Sequence, residues 1–164
     1  MGFHPEVSTT CAEENRHAKK LRVREGTTHA CLVMDGARCV GWCQFGPPDE
    51  LPRIKNRRRY NERLLRLPDW RITCFFVDRQ YRRRGVAALA LEGALEQVAA
   101  LGGGRVEGYP EDTTGRSVAG TFLHTGSVSL FGVKGFVRSR PIGKHRWVVT
   151  RDVTSVEPRS GGTR

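Results

Sequence analysis

The sequence predicts an α/β protein of the α+β type, with a mixed, mostly antiparallel central sheet flanked by helices. Three observations predict it. Residues 28–45 hold two apolar runs on either side of the tight turn "DGAR" (35–38), which is a hairpin pattern. The most strand-like run, "WRITCFFV" (70–77), leads into one long apolar-periodic helix. The last two strand-like runs, "GFVRSRP" (135–141) and "HRWVVTRDV" (145–153), follow each other with no helix between them. Strand and helix do not alternate strictly, so a wholly parallel sheet is not expected.

The elements follow in order. Thr10 followed three residues later by Glu13 is a capping-box pattern, and Gly26 supplies a stop. A helix over 11–25 is expected, charged on most of its surface. "THACLVM" (28–34) and "CVGWCQF" (39–45) are the arms of the hairpin. "GPPDELP" breaks the alternation, and the basic segment 53–66 reads as helical, with Ile54, Tyr60, Leu64 and Leu65 as its buried side. Pro68 and Asp69 end it. In the long helix after residue 77, Val86, Leu91, Leu95, Val98 and Leu101 mark one face, and Gly102 terminates it. "GRVEGYP" (104–110) is a short strand, a loop rich in glycine and threonine runs to about residue 120, and 121–134 is weakly helical. Residues 1–153 are expected to form a single domain, and 154–164, ending in "EPRSGGTR", a disordered tail.

At 164 residues, with 38% hydrophobic and 27% charged side chains, the chain is long enough for a proper core. No apolar run approaches the roughly 18 residues needed to span a bilayer, and "MGFHPEVSTT" lacks the apolar stretch of a signal peptide. A cytoplasmic protein without membrane partners is expected. The five cysteines form no C-x-x-C pair and have no histidine at finger-like spacing, so reduced thiols are expected and a metal site is not. The formal net charge of +11 favours an anionic partner: nucleic acid, a membrane surface or a phosphorylated small molecule. Much of the excess lies in "NRRR" (56–59), which reads as a solvated face, and in "RRR" (82–84), whose context differs.

The second run stands directly before Gly85 and the long helix, behind a strand. A helix N-terminus leaves several backbone N–H groups unpaired and carries about half a unit of positive charge. A strand ending just before it aims those donors at one point. Gly85 removes the side chain that would keep a phosphate from the backbone, and Ala87 keeps the next turn small. Three cations at the positive end of a helix are unfavourable unless an anion sits there. No G-x-x-x-x-G-K-[ST] and no G-x-G-x-x-G after a strand is present, so a nucleoside triphosphate is not indicated.

"VDRQYRRRGVA" (77–87) resembles the pyrophosphate-binding motif R/Q-x-x-G-x-G/A of the GNAT superfamily of acetyl-CoA-dependent N-acyltransferases, matching as Arg82-x-x-Gly85-x-Ala87. The preceding strand, the long helix, the following short strand and "FGVKGF" (131–136) fall where that family has them, and the resemblance covers roughly residues 11–150. "GWCQFGPPDELPRI" and "WRITCFFVD" also look like a subgroup of the superfamily. Members usually place a strand and another helix before the first helix found here. With about ten residues available, the first strand is expected to be short or missing.

The resemblance implies that acetyl-CoA is the acyl-donor co-substrate and an amine the acceptor, with the protein a monomer or a homodimer. It assigns the pyrophosphate to Arg82, Arg83, Arg84, Gly85, Val86, Ala87 and Ala88. The pantetheine arm is assigned to the backbone of Phe75, Phe76 and Val77, where an N–H would polarise the thioester carbonyl. Strands 70–77 and 104–109 would splay to make the slot. An alkylamine is neutral in only about one molecule in 2,500 at pH 7, so direct transfer needs a base. Where histone-type members carry a Glu on the central strand this chain has Arg71, and where many carry a Tyr on the last helix it has Phe131. Glu107 and Tyr109 are the remaining catalytic candidates: they alternate around Gly108, so on a strand both point to one face. Their plainer reading is a salt-bridged Glu and a core Tyr. His124 is a further possible base, and Asp78 a residue that holds the phosphate loop.

The leading function is therefore an acetyl-CoA-dependent N-acetyltransferase acting by direct attack in a ternary complex. A weakly basic acceptor, such as an arylamine, would dispense with a strong base. An acyl-CoA-binding module without efficient catalysis is the alternative. A basic nucleic-acid-binding protein is less favoured, since no basic–aromatic platform or helix-turn-helix spacing is present.

Overall fold

Residues 11–156 are described in the computed structural model. The elements are α1 (Ala12–Arg24), β1 (His29–Asp35), β2 (Arg38–Gly46), α2 (Arg57–Glu62), β3 (Trp70–Val77), α3 (Val86–Ala100), β4 (Gly104–Gly108), α4 (Val128–Gly132), β5 (Val137–Pro141) and β6 (Trp147–Val153). The strands form one six-stranded sheet in the order β1-β2-β3-β4-β6-β5. Of these strand pairs only β3 and β4 run parallel; the other four are antiparallel. The mixed, mostly antiparallel sheet of the sequence reading is present.

The first hairpin closes where Asp35 pairs with Arg38, and Gly36 takes a left-handed φ of 56° that a glycine adopts without a Cβ clash. α3 lies across the sheet and buries Ala90, Leu91, Ala94, Leu95 and Val98 against Phe45, Ile72, Val106 and Val149. Alanines fill the close positions, and a Cβ on Gly93 would collide with the Cys31 sulfur, so helix and hairpin approach closely. Leu101, expected on the buried face, is exposed. It is the C-cap of α3, and the buried stripe ends with Ala99 before it.

The opposite face of the sheet carries a smaller cluster of Ile54, Tyr60, Tyr109, Ile142 and Val148, with Leu64 packed against it. The helix expected over 53–66 is reduced to the six residues of α2. Asn56 precedes it in a left-handed conformation (φ 61°), and no acid stands in its first turn to offset three arginines. Leu65 is fully exposed rather than buried, because the chain has left the helix before reaching it. Helix also shrinks in 121–134, to a 3-10 turn at Gly120–Phe122 and the short α4, whose Ser127 hydroxyl accepts the Leu130 N–H at 3.2 Å.

α1 is shorter than the expected helix by one residue at each end, with Glu13 and Glu14 in its first turn and Arg22 and Arg24 in its last, each favourable to the helix dipole. Its N-cap is Cys11, which makes no side-chain cap bond. The Thr10 half of the capping box, the short or missing first strand and the end of the tail at 157–164 fall outside the described residues. No helix among the described residues is long and apolar enough to cross a membrane.

Candidate active site

β3 and β4 stay paired for only three positions: Trp70 with Val106, Arg71 with Glu107 and Ile72 with Gly108. Two local features end the pairing. Thr73 is the extra residue in β3 where the register against β2 shifts between Phe45 and Gln44. On the other side, Pro110 has no N–H to continue a ladder. Past this point the amides of Phe75 and Val77 face the gap, since Asp78, one position on, gives its N–H to the Val40 carbonyl of β2. The segment after β4 lies over that edge, and the His124 carbonyl accepts the Phe75 N–H at 2.6 Å.

At the far end of β3 the chain turns sharply into α3. Asp78 anchors the turn: Oδ1 accepts the Gln80 N–H at 2.9 Å and Oδ2 a bond from Arg38 at 2.8 Å. These partners, the backbone bond from Gln80 foremost, hold its carboxyl below its ordinary value. Tyr81 donates to Asp35 Oδ2 at 2.6 Å, tying the same turn to the first hairpin. Arg83 is then forced to a left-handed φ of 60° and Gly85 to 79°. For a non-glycine such as Arg83 this costs about 1–3 kcal/mol, strain of the sort found at ligand clamps. No atom lies within 4 Å of where a Cβ on Gly85 would stand, so the space over the first turn of α3 is open. The amides of Ala88 and Leu89 bond to the Gly85 carbonyl, while those of Val86 and Ala87 precede any intrahelical acceptor. No acidic residue occupies that turn.

The turn and the parted strand edge are two walls of one cavity of about 520 Å³. Of the residues the sequence reading assigned to the donor, Phe75, Phe76, Val77, Arg82, Arg83, Gly85, Val86, Ala87 and Ala88 line it. Arg84 does not; its guanidinium lies 5.7 Å from the centre of the Tyr81 ring. Tyr81, Leu123, Gly126, Ser127 and Leu130 line the cavity as well and were not singled out from the sequence. Most belong to the loop whose path no periodicity marks. His124 also lines it.

Glu107 and Tyr109 do share a face, but it is the face away from α3. They are 1% and 2% exposed and are not among the residues lining the large cavity. Glu107 Oε2 accepts from Tyr60 at 2.8 Å and from Tyr109 at 3.1 Å, and Arg140 Nη1 stands 3.7 Å from Oε1. Burial first, and the Glu107 charge second, raise the Tyr109 hydroxyl well above its ordinary value and raise that of Tyr60. Arg71 is not placed as a base; Nη1 donates to the Leu51 and Pro48 carbonyls at 2.8 and 3.3 Å. The Arg71 and Arg140 guanidiniums stand 5.5 and 4.9 Å from the Tyr60 ring centre. Tyr60 alone of the Tyr60–Glu107–Tyr109 group lines a second cleft, of about 260 Å³, together with Arg57, Arg71 and Asp49. The sequence marked Tyr60 only as a packing residue; a hydroxyl in a basic, weakly apolar segment was the available signal. Phe131 is wholly buried, edge-on to Phe75 and Phe136. Among the described residues no group of three His, Cys, Asp or Glu side chains is placed to hold a metal ion.

Comparisons with known proteins bear on the family and the fold. The sequence model described as acetyltransferase (GNAT) family matches residues 2–115. No curated protein matches the chain. An acetyltransferase from Thermus thermophilus superposes with a TM-score of 0.53 at 14% identity, covering 90% of this chain and 78% of that one. A ribosomal-protein-alanine N-acetyltransferase from Brucella melitensis gives 0.53 at 17% identity, over 87% and 78% of the two chains. A chain of the NatC complex bound to Gag peptide and CoA gives 0.50 at 14% identity, over 93% and 87%.

Proposed function

This chain belongs to the acetyltransferase (GNAT) family, and on that premise we propose that it transfers an acetyl group from acetyl-CoA to the amine of an acceptor by direct attack in a ternary complex. One observation supports this reading above the others. The open first turn of α3 and the edge of β3 that β4 leaves are walls of the same cavity of about 520 Å³, so an end suited to an anion and a strand-like groove are continuous. The residues fit the donor: free amides of Val86 and Ala87 with Arg82 and Arg83 suit a pyrophosphate, and the Phe75–Val77 edge suits an amide-bearing arm. CoA in a solved relative of the same fold is consistent with this assignment. Acetyl-CoA supplies the activated thioester; the chain supplies position and proton handling.

The Phe75 N–H must leave the His124 carbonyl to meet an incoming arm, so the loop carrying His124 shifts on binding. Glu107 is the base in this reading. It is too buried to touch an amine, and Tyr60 links it to the cleft of about 260 Å³. A proton leaving the amine passes to the Tyr60 oxygen as the Tyr60 proton passes to Glu107. Tyr109 lines neither cavity; its hydroxyl, kept protonated by burial, donates to Glu107 Oε2 at 3.1 Å and positions that carboxylate, while the leaving thiolate takes its proton from solvent.

Calorimetric titration with acetyl-CoA, followed by release of free thiol across a panel of amines, tests the proposal. One-to-one binding weakened in Arg82→Ala and Arg83→Ala, with thiol release, is expected. Binding without thiol release for any amine would leave an acyl-CoA-binding module. A short DNA duplex in the same titration, bound more tightly than acetyl-CoA, would overturn the assignment in favour of nucleic acid.

A further inference from the structure

We propose that a third, basic cleft, between the β5–β6 turn and residues 111–122 and sharing the segment 54–57 with the Tyr60 cleft, holds the acceptor by carboxylate groups beside the amine that Tyr60 serves. This deepens the acetyl-transfer reading and rests on it. The cleft encloses about 390 Å³ and is lined by Lys55, Arg116, Lys144 and Arg146 against a single carboxylate, Glu111. That carboxylate is already shared, with Arg146 Nη2 at 3.3 Å and Arg116 Nη1 at 3.5 Å. Arg146, 4% exposed, is a fixed part of the wall; its Nη1 donates to the Tyr109 carbonyl at 3.1 Å and to Thr125 Oγ1 at 2.8 Å.

Lys55 and Lys144 differ. Both are exposed, and neither has an acid partner among the described residues. The fold brings them to one rim: a Cβ on Gly143 would stand 2.7 Å from Asn56 Nδ2, so the residues next to that contact, Lys55 and Lys144, converge. Four cations facing one cavity with one shared acid create a positive field focused inside it, and a carboxylate-bearing ligand is the complement. Phe122, 57% exposed, adds an apolar surface on the same wall.

Position links this cleft to the donor. The 3-10 turn Gly120–Phe122 is a wall common to both cavities: Ala119 and Phe122 face the basic cleft, Gly120 and Leu123 the large one. A molecule in the basic cleft is therefore one turn of chain away from the donor cavity. The phosphates of the donor are served on the far side of that wall by the α3 N-terminus, which leaves Lys55 and Lys144 for another anion.

The test has two arms. In the first, pentaglutamate and pentaglutamine peptides are titrated into the wild type and into Lys55→Glu/Lys144→Glu, with acetyl-CoA titrated alongside. Expected are binding of pentaglutamate only, weakened about tenfold or more in the double variant and by added salt, with acetyl-CoA affinity unchanged. Equal binding of pentaglutamate to both proteins, or a loss of acetyl-CoA affinity in the variant, overturns the proposal. In the second arm, paired amines differing only as carboxylate and amide are offered with acetyl-CoA. A preference of about tenfold for the carboxylate in kcat/KM, lost in the double variant, is expected; equal rates overturn it. If acetyl-CoA neither binds nor turns over while pentaglutamate still binds at this cleft, the acetyl-transfer reading falls and the anion site stands. A DNA duplex binding here more tightly than pentaglutamate would assign the cleft to nucleic acid instead.

Discussion

The Tyr60 hydroxyl donates a 2.8 Å hydrogen bond to Glu107 Oε2, joining a helix of six residues to the strand opposite it across the buried face of the sheet. Nothing else visible from the second cleft reaches that carboxylate so directly. Tyr60→Phe should therefore lower kcat for alkylamine acceptors by about 10²–10⁴ while leaving acetyl-CoA affinity intact. Glu107→Gln should match it, and the two changes together should cost no more than either alone. Acceptors of low pKa should be spared. The slope of log kcat against acceptor pKa, compared between wild type and Tyr60→Phe, checks this; an unchanged slope removes both residues from proton transfer.

Gly85 stands at φ 79° with open space where a Cβ would point. Gly85→Ala should thus cost about 1–2 kcal/mol of stability through the backbone alone, measurable by urea denaturation. Gly85→Val should add a branched side chain over the anion site and weaken acetyl-CoA binding by an order of magnitude or more in calorimetry. Unchanged affinity in Gly85→Val would move the pyrophosphate elsewhere.

Phe131 shows why a tyrosine is absent from the last helix. Its ring is wholly buried, and its Cζ would lie 2.6 Å from a Cβ on Gly108. Phe131→Tyr should force a hydroxyl into that packing and destabilise by about 1–3 kcal/mol without raising kcat. Gly108→Ala should cost a similar amount, and Phe131→Leu should relieve part of it. Thermal unfolding of the three variants decides.

Alkaline pH should loosen the fold. Burial, ahead of the charges around it, pushes the Cys74 thiol from 9.0 to about 11. Between those values the folded chain keeps a proton that the unfolded chain releases, so stability falls as pH rises through that interval. Tyr60 and Tyr109 shift the same way from 10.0, again mainly through burial, and extend the fall upward. Tm measured from pH 7.5 to 10.5 should decline, and Cys74→Ser should flatten the first part of the decline. A Tm that holds steady to pH 10.5 would contradict the assignment of these burials.

The cavity wall at the start of α3 was legible in the sequence because its geometry is local. Val77 to Ala88 lie within one turn of chain, and Gly85 and the arginines signal the helix start without knowledge of distant contacts. The opposite face was not legible in the same way. Glu107 and Tyr109 could be placed on one side of a strand by alternation, but which side of the sheet that is depends on where α2 packs. α2 itself is set by Tyr60 and a left-handed Asn56 rather than by an apolar stripe, so periodicity overstated its length. The segment 111–127 carries only a weak period near its end, and apart from His124 its residues entered the clefts unannounced. Leu101 and Leu65 failed for a shared reason: an apolar residue continues a pattern on paper after the helix that gave the pattern has ended.

The sheet has two leaves, β1-β2-β3 and β4-β6-β5, and three rungs join them. Such a seam is the weakest line in the sheet, and the cavity of about 520 Å³ opens just past it, from Phe75 on. A ligand seated along the edge of β3 past the seam, in place of the His124 carbonyl, would act as the missing rungs and stitch the leaves together where β4 has turned away. Loading should then be felt as stiffness: amide exchange in Gly104–Gly108 and Trp70–Val77 should slow together when acetyl-CoA is added, like two pages held by the same clasp.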